Sequence, residues 1–277
     1  MAGCPLLWLL SVGQATESNS PIGESNRCVA GHPYGKIALY HSCIMKLLAL
    51  ESSTETLSLA LQTEASMLAF DEVTGPAASQ RILPEIQNLL MKAGVQLPQL
   101  DGIVYGTGPG AFTGVRVAVG VTQGLAFGAN LPVIGISSVL AVAESARQIA
   151  QAEKVIVCLD ARMGEVYHAA LIWQADAWQE VSAPVVCKPQ DVPAVEGDGW
   201  LGAGSGWRVF EQALSGKYEG QLASVRPDMM PQASIMLALA QPLFAAGQAQ
   251  SAQDAAPLYV RNRVALTAAE RAQGQTL

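Results

Sequence analysis

The sequence predicts an α/β protein built from two similar halves. Three observations predict this. An apolar run closed by a carboxylate, Lys46 to Glu51, returns as Lys154 to Asp160, and each is followed by a few turn residues and a second apolar run, 57–61 or 166–172. The spacing of about one hundred residues is too long for a solenoid and right for a duplicated domain. Short apolar runs also alternate with stretches of helical period, the pattern of strands and helices in turn. Finally, Gly106, Gly108, Gly110 and Gly114 join the apolar run 103–105 to a long apolar helical stretch, which reads as a buried strand, a turn needing unusual backbone angles and a helix N-terminus.

Taken in order, strands are predicted from Met45 to Leu50, over 57–61 and over 66–70. A helix spans 76–93, with Ile82, Ile86, Leu89 and Ala93 at three- and four-residue steps and Gly94 stopping it. A strand at 103–105, a helix at 113–127 and a strand at 132–136 follow, and Ser137 or Ser138 caps a helix running to about Ala150. In the second half 155–159, 166–173, 181–186 and 200–204 read as strands, and 232–246 reads as a helix that Pro242 should kink. The last ordered piece is Pro257-Leu258-Tyr259-Val260-Arg261-Asn262. A strand ending in an acid and then a tight hairpin opens each half. That layout resembles the ribonuclease-H-like half of the actin/sugar-kinase/Hsp70 (ASKHA) superfamily, with subdomains at 45–150 and 151–277.

Residues 1–44 have no sustained period. Their one apolar patch, 6–10, is short and has no Lys or Arg before it, unlike a secretory signal. The pattern changes sharply at Met45, which reads as the natural start. The preceding part reads as upstream translation, a tag or a disordered arm. Half of the 277 residues are hydrophobic and 14% are charged, enough for a sizeable core. A net charge of −7 argues against a protein that grips nucleic acid by itself. No apolar run reaches the ~18–20 residues of a membrane span. Five cysteines, three of them in the first 44 residues, make no disulfide framework and read as the reducing cytoplasm.

The glycine-rich turn precedes a helix N-terminus, where free N–H groups attract anions. Pro109 removes one donor, no lysine follows, Thr113 stands as N-cap and Arg116 falls in the first turn. The turn therefore reads first as structural. The alternative is a weak or vestigial nucleotide contact made by Gly108, Gly110 and Thr113 with Glu51 and Asp160. In a working member of the superfamily the two acids would hold magnesium through water. The preferred reading is that each caps its own turn by accepting backbone N–H bonds. His32, His41 and His168 are the only histidines and form no metal pattern. Ser52 and Ser53 follow the first strand without a plausible base, and Gly202-Ala203-Gly204-Ser205-Gly206 reads as a flexible turn. No catalytic residue, metal or cofactor is expected.

The 113–127 helix is apolar nearly all round, with Gly120, Gly124 and Gly128 in one small stripe, and such a helix must be covered on every side. The 76–93 helix carries more apolar residues than one sheet contact needs. Ile82, Leu83, Ile86, Leu89, Leu90, Val117, Val121 and Gly124 are the candidates for a protein interface. An arginine at Ile86 or Val121 is expected to break pairing and leave the monomer folded.

The run Gly108-Pro109-Gly110-Ala111-Phe112-Thr113-Gly114-Val115-Arg116 closely resembles the signature of the TsaB (YeaZ) family. Gln80-Arg81-Ile82-Leu83-Pro84, Asp160 to Tyr167 and Pro257 to Asn262 match too, so the resemblance covers Met45 to about Ala265. It implies a two-domain fold of the actin/Hsp70 type and catalytic degeneracy. Members are paralogues of TsaD, which carries the metal-binding histidines and transfers threonylcarbamoyl from its adenylate to the tRNA adenosine beside the anticodon. They bind and stabilise TsaD, and an ATPase, TsaE, joins the complex. The helices matching 76–93 and 113–127 form the dimer face, used with TsaD or with a second copy. tRNA is then reached only through the complex. Glu51 stands where relatives often have Asp, and Ser79 where some have His. The rival readings are a small-molecule kinase or ATPase of the same superfamily, which needs tight ATP–magnesium binding, and a protease, whose metal or nucleophile the sequence does not show.

Overall fold

The computed structural model describes residues 45–260, so the readings of 1–44 and of Arg261 and Asn262 lie outside the described residues. Two five-stranded sheets carry the fold, and they have the same topology. In the first, β1 (Leu47–Glu51), β2 (Thr56–Gln62) and β3 (Met67–Val73) form an antiparallel meander. Next to β1 and parallel to it lies β4 (Gly102–Gly108), followed by β5 (Val133–Ser137). In the second, β6 (Lys154–Arg162), β7 (Glu165–Gln174) and β8 (Ala177–Cys187) repeat the meander. Beyond β6, and parallel to it, come β9 (Trp200–Ala203) and β10 (Leu222–Arg226). The strand order is 3-2-1-4-5 in one sheet and 8-7-6-9-10 in the other, so the repeat seen in the chain is a repeat of topology.

The apolar strands are buried on both faces, as sheets covered by helices must be. Helices α1 (Ala78–Ala93) and α2 (Phe112–Ala129) pack on one face of the first sheet, against Leu48, Leu50, Leu59 and Tyr105. Helix α6 (Ala233–Ala245) returns from the end of the chain to cover the other face, against Leu47, Ala49 and Val104. Helix α3 (Ser138–Ala150) leaves the first sheet but packs mainly on the second, with Val142 and Ala146 against Val155, Val157 and Leu159. The short helices α4 (Gly206–Val209) and α5 (Glu211–Lys217) close the far face of the second sheet around Trp200, Trp207 and Tyr218. The result is a stack of helix, sheet, helix, sheet and helix layers, the two-subdomain ASKHA arrangement. Among the described residues no helix is long and apolar enough to cross a membrane.

The end of α1 follows the sequence. Gly94 adopts the left-handed conformation after α1 and its N–H returns to Leu90 and Met91, a glycine C-cap. Other expectations need correcting. Ala111, not Thr113, is the N-cap of α2, and α6 runs on through Pro242 to Ala245. The segment 202–206 is no flexible turn. Gly202 and Ala203 end β9, all five residues are buried, and Gly204 at φ +103° and Gly206 press against the Cys158 carbonyl. A side chain at Gly202 would meet the Trp207 ring at 2.6 Å.

His168 is fully buried in β7. The Tyr218 hydroxyl donates to the Pro193 carbonyl at 2.7 Å, which leaves its oxygen to accept from the His168 Nε2–H at 2.8 Å. Nδ1 has no partner and is an unprotonated lone pair in this arrangement. Protonation would bury a charged N–H with no acceptor, and burial accordingly pushes the imidazole down from 6.5 to about 4. Between those values the unfolded chain binds the proton and the folded chain does not, so stability falls as pH drops from 6.5 toward 4. His168→Gln should remove roughly 3 kcal/mol of that acid-side loss. Urea unfolding of both proteins across this range checks it.

Candidate functional site

A cleft of about 540 Å³ lies between the two halves. The first half contributes the β1–β2 turn from Ser52 to Glu55, the start of α1 and the turn into α2. The second half contributes the β6–β7 turn, Tyr167 and Ser205, and the terminal stretch Leu258 to Val260 forms a further wall. Of the residues expected to meet a nucleotide, Gly110, Thr113 and Asp160 line this space. Glu51 and Gly108 do not; both are buried behind it.

The glycines are explained by what approaches them. A Cβ on Gly110 would collide with the Ser53 carbonyl, one on Gly114 with the Ser52 carbonyl, and one on Gly106 with the Glu51 carboxylate. The Ala111 N–H donates to the Ser53 carbonyl at 2.6 Å, and the Ser52 hydroxyl donates to the Gly114 carbonyl at 2.8 Å. The β1–β2 turn is thus seated on the first turn of α2. Its carbonyl oxygens bring partial negative charge to the positive end of the helix, where an incoming phosphate would meet them.

Glu51 is held within the same contact. Its Oε1 accepts from the Ser53 N–H, and its Oε2 from the Ser138 hydroxyl at 2.8 Å, while the Ser53 hydroxyl donates to Ser138 Oγ at 3.0 Å. Desolvation raises the carboxyl above its ordinary range, and these hydrogen bonds offset part of that rise. The sequence shows no base for Ser53, because Ser138 supplies the link to Glu51 from 85 residues away. Ser53 is only 1% exposed and its proton is committed to Ser138, so the chain of hydroxyls braces a turn rather than presenting a nucleophile. In the second half Asp160 Oδ1 accepts from the Arg162 N–H at 2.9 Å and Oδ2 lies 3.2 Å from the Arg162 guanidinium. Both acids therefore accept from the backbone N–H two residues on. Arg162 is the one cation among the lining residues, and no three His, Cys, Asp or Glu side chains cluster among the described residues.

The outer surface of α1 and α2 differs from the sequence reading in part. Ile82, Ile86 and Leu89 are 0–4% exposed in the chain's own core. An arginine at Ile86 would therefore unfold the monomer rather than spare it, a correction that helical period cannot supply because α1 is apolar on more than one side. Leu83 is 51% exposed, Leu90, Val117 and Val121 are half-buried, and Gly124 is exposed. Phe127, 79% exposed, and Met91 extend the same apolar surface. Around Gly120, Gly124 and Gly128 there is open space where side chains would stand. A shallow groove of about 480 Å³ runs there, between Gly120, Gln123, Gly124 and Phe127 on one side and Ala252 and Gln253 on the other.

Sequence reasoning also missed the pairing at the cleft mouth. The Arg116 guanidinium lies 3.8 Å over the Phe112 ring and its Nε–H donates to the Tyr259 hydroxyl at 2.9 Å. Phe112 and Arg116 are visible in the motif, but their partner is 143 residues from Arg116.

The glycines divide into two classes with opposite expectations. Gly110→Ala or Gly114→Ala should cost about 2 kcal/mol or more, because backbone must shift to admit the methyl. Gly120→Ala should stabilise by up to about 1 kcal/mol, as in any exposed helix interior. Urea denaturation of the three variants separates the classes.

The family model described as TsaD, tRNA N6-adenosine threonylcarbamoyltransferase, matches residues 72–267. The tRNA threonylcarbamoyladenosine biosynthesis protein TsaB of Escherichia coli K12 is 37% identical over 228 residues, which cover 80% of this chain and 96% of that protein. The Haemophilus influenzae protein of the same name is 37% identical over 79% of this chain and 95% of its own. The solved structure of YeaZ from Pseudomonas aeruginosa superposes with a TM-score of 0.71 at 38% identity, covering 78% of this chain and 99% of that one. A second P. aeruginosa structure, described as similar to peptidase YeaZ, gives 0.72 at 37% identity over 78% of this chain and all of its own. With its duplicated fold and self-seated glycine turn, this chain belongs to the TsaB (YeaZ) family of tRNA threonylcarbamoyladenosine biosynthesis proteins.

Proposed function

We propose that this chain is a non-catalytic subunit of the assembly that forms threonylcarbamoyladenosine beside the tRNA anticodon. In this reading it binds and stabilises a TsaD-like catalytic subunit through the outer face of α1 and α2. A TsaE-like ATPase joins the assembly, a homodimer forms through the same face when the catalytic subunit is absent, and tRNA is contacted only through the complex. The reading places the protein in the cytoplasm.

The observation that carries it is the open glycine stripe of α2. Gly120 and Gly124 in the helix interior weaken that helix by about 1 kcal/mol each relative to alanine, and among the described residues nothing uses the space that they and Gly128 leave. A close-packed partner would use it. Leu83, Leu90, Val117, Val121, Met91 and Phe127 surround the stripe with apolar surface of the kind that interfaces cover. The kinase or ATPase reading finds less support: no lysine lines the cleft, Glu51 lies behind it, and Ser52 and Ser53 carbonyls face the helix end where phosphates would sit.

Two exposed positions test the interface without threatening the core. Gly124→Arg and Leu83→Asp should each weaken capture of the TsaD-like subunit by about 100-fold or more, since a charge buried in a dry contact is left unpaired. Both variants should unfold within about 1 kcal/mol of wild type. Reconstituted tRNA modification should fall in step with capture. Capture that survives both substitutions would place the interface elsewhere.

A further inference from the structure

The segment 252–260 touches both the cleft and the α2 groove. At its start Ala252 and Gln253 form one side of the α2 groove. At its end Leu258, Tyr259 and Val260 form a wall of the cleft. Ala252 and Ala255 are buried in the core of the first half, and from Ala256 to Val260 the segment has no helix or strand of its own, so a few bonds hold that part. The Ala256 N–H donates to the Tyr105 hydroxyl at 3.0 Å, the Leu258 N–H to the Thr107 carbonyl at 2.8 Å, and Arg116 to Tyr259. All of these tie it to the first half. Val260 then packs against the core of the second half, so the segment crosses the cleft as a strap.

One further tie joins the two ends. The Gln123 amide donates to the Ala255 carbonyl at 2.9 Å, and Gln123 itself lines the groove. A body lying in the groove covers this hydrogen bond, removes water from it and packs on Ala252 and Gln253 at the same moment. Opening the strap then requires breaking a bond that water can no longer replace.

We propose that the strap 252–260 transmits occupancy of the α2 groove to the cleft wall, and that Gln123 is the residue through which it does so. The occupant is the catalytic partner, so the proposal rests on the reading above. The coupling needs no change in the fold, only a shift in how often the strap opens.

Amide hydrogen exchange at Ala256 and Leu258 reads the strap directly. In the isolated chain, Gly124→Trp lays a ring in the groove without any partner and should slow both amides about fivefold or more. Gly120→Leu, filling the neighbouring position, should act in the same direction. Adding Gln123→Ala to either variant should abolish the slowing. Unchanged or faster exchange in both filled variants overturns the proposal, and slowing that persists without the Gln123 amide overturns the role given to that residue. Binding of a TsaD-like subunit to the wild-type chain should slow the same amides. Binding that leaves them unchanged also overturns the coupling. Failure of that subunit to bind speaks against the proposed partner instead, and the filled variants still decide the coupling.

Discussion

The β1–β2 turn rests directly on the first turn of α2, and the packing of the first half is organised around that contact. The contact exists only because Gly110 and Gly114 carry no side chain where the Ser53 and Ser52 carbonyls arrive. This contact fixes how α2 lies on the first sheet and holds Ser53 where it can bond to Ser138. It also keeps Glu51 buried against Gly106, with its hydrogen bonds made inside the protein. A helix N-terminus is ordinarily an invitation to an anion. Here the Ser53 carbonyl accepts from the Ala111 N–H and the Ser52 carbonyl packs on Gly114, so the chain's own oxygens stand at that end, while Ala111, Phe112 and Thr113 stay exposed along the cleft.

With the first turn of α2 committed to the fold, its outer surface is the face to which the proposed reading assigns the partner. Residues Val115, Ala118, Val119, Thr122 and Ala126 point to the core, which leaves the glycine stripe and Phe127 outside. The duplication has diverged in the same direction. The second sheet repeats the strand order of the first, but its helices α4 and α5 are short, and α3 supplies much of its core from the other half. Because α3 packs on the second sheet and α6 on the first, the halves are interlocked through the middle layer rather than simply joined end to end.

Much of this was legible in the sequence. The strand meander of each half, the glycine stop of α1 and the apolar excess of α2 follow from local periodicity and turn chemistry. Gly110 and Gly114 announced a close approach, but a one-dimensional reading could not say whether a ligand or the chain itself came near. The helices in 206–217 were missed because helices of four and seven residues carry too few turns to show a period. Period likewise marked Ile82, Ile86 and Leu89 as apolar but could not tell the core side of α1 from the outer side on which Leu83 stands. The contacts of Ser138 with Glu51 and of Tyr259 with Arg116 cross more than 80 residues, and nothing local encodes them.

We infer that the Ser52 and Ser53 carbonyls at the start of α2 disfavour a nucleotide's phosphates in the cleft, so that the outer helices carry the proposed function. Calorimetric titration of the isolated chain with magnesium–ATP tests it most directly. No saturable heat is expected up to about 1 mM nucleotide, the regime of weak contacts only. A well-defined site with a Kd of about 1 μM would contradict it and return the cleft to the kinases and ATPases of the superfamily.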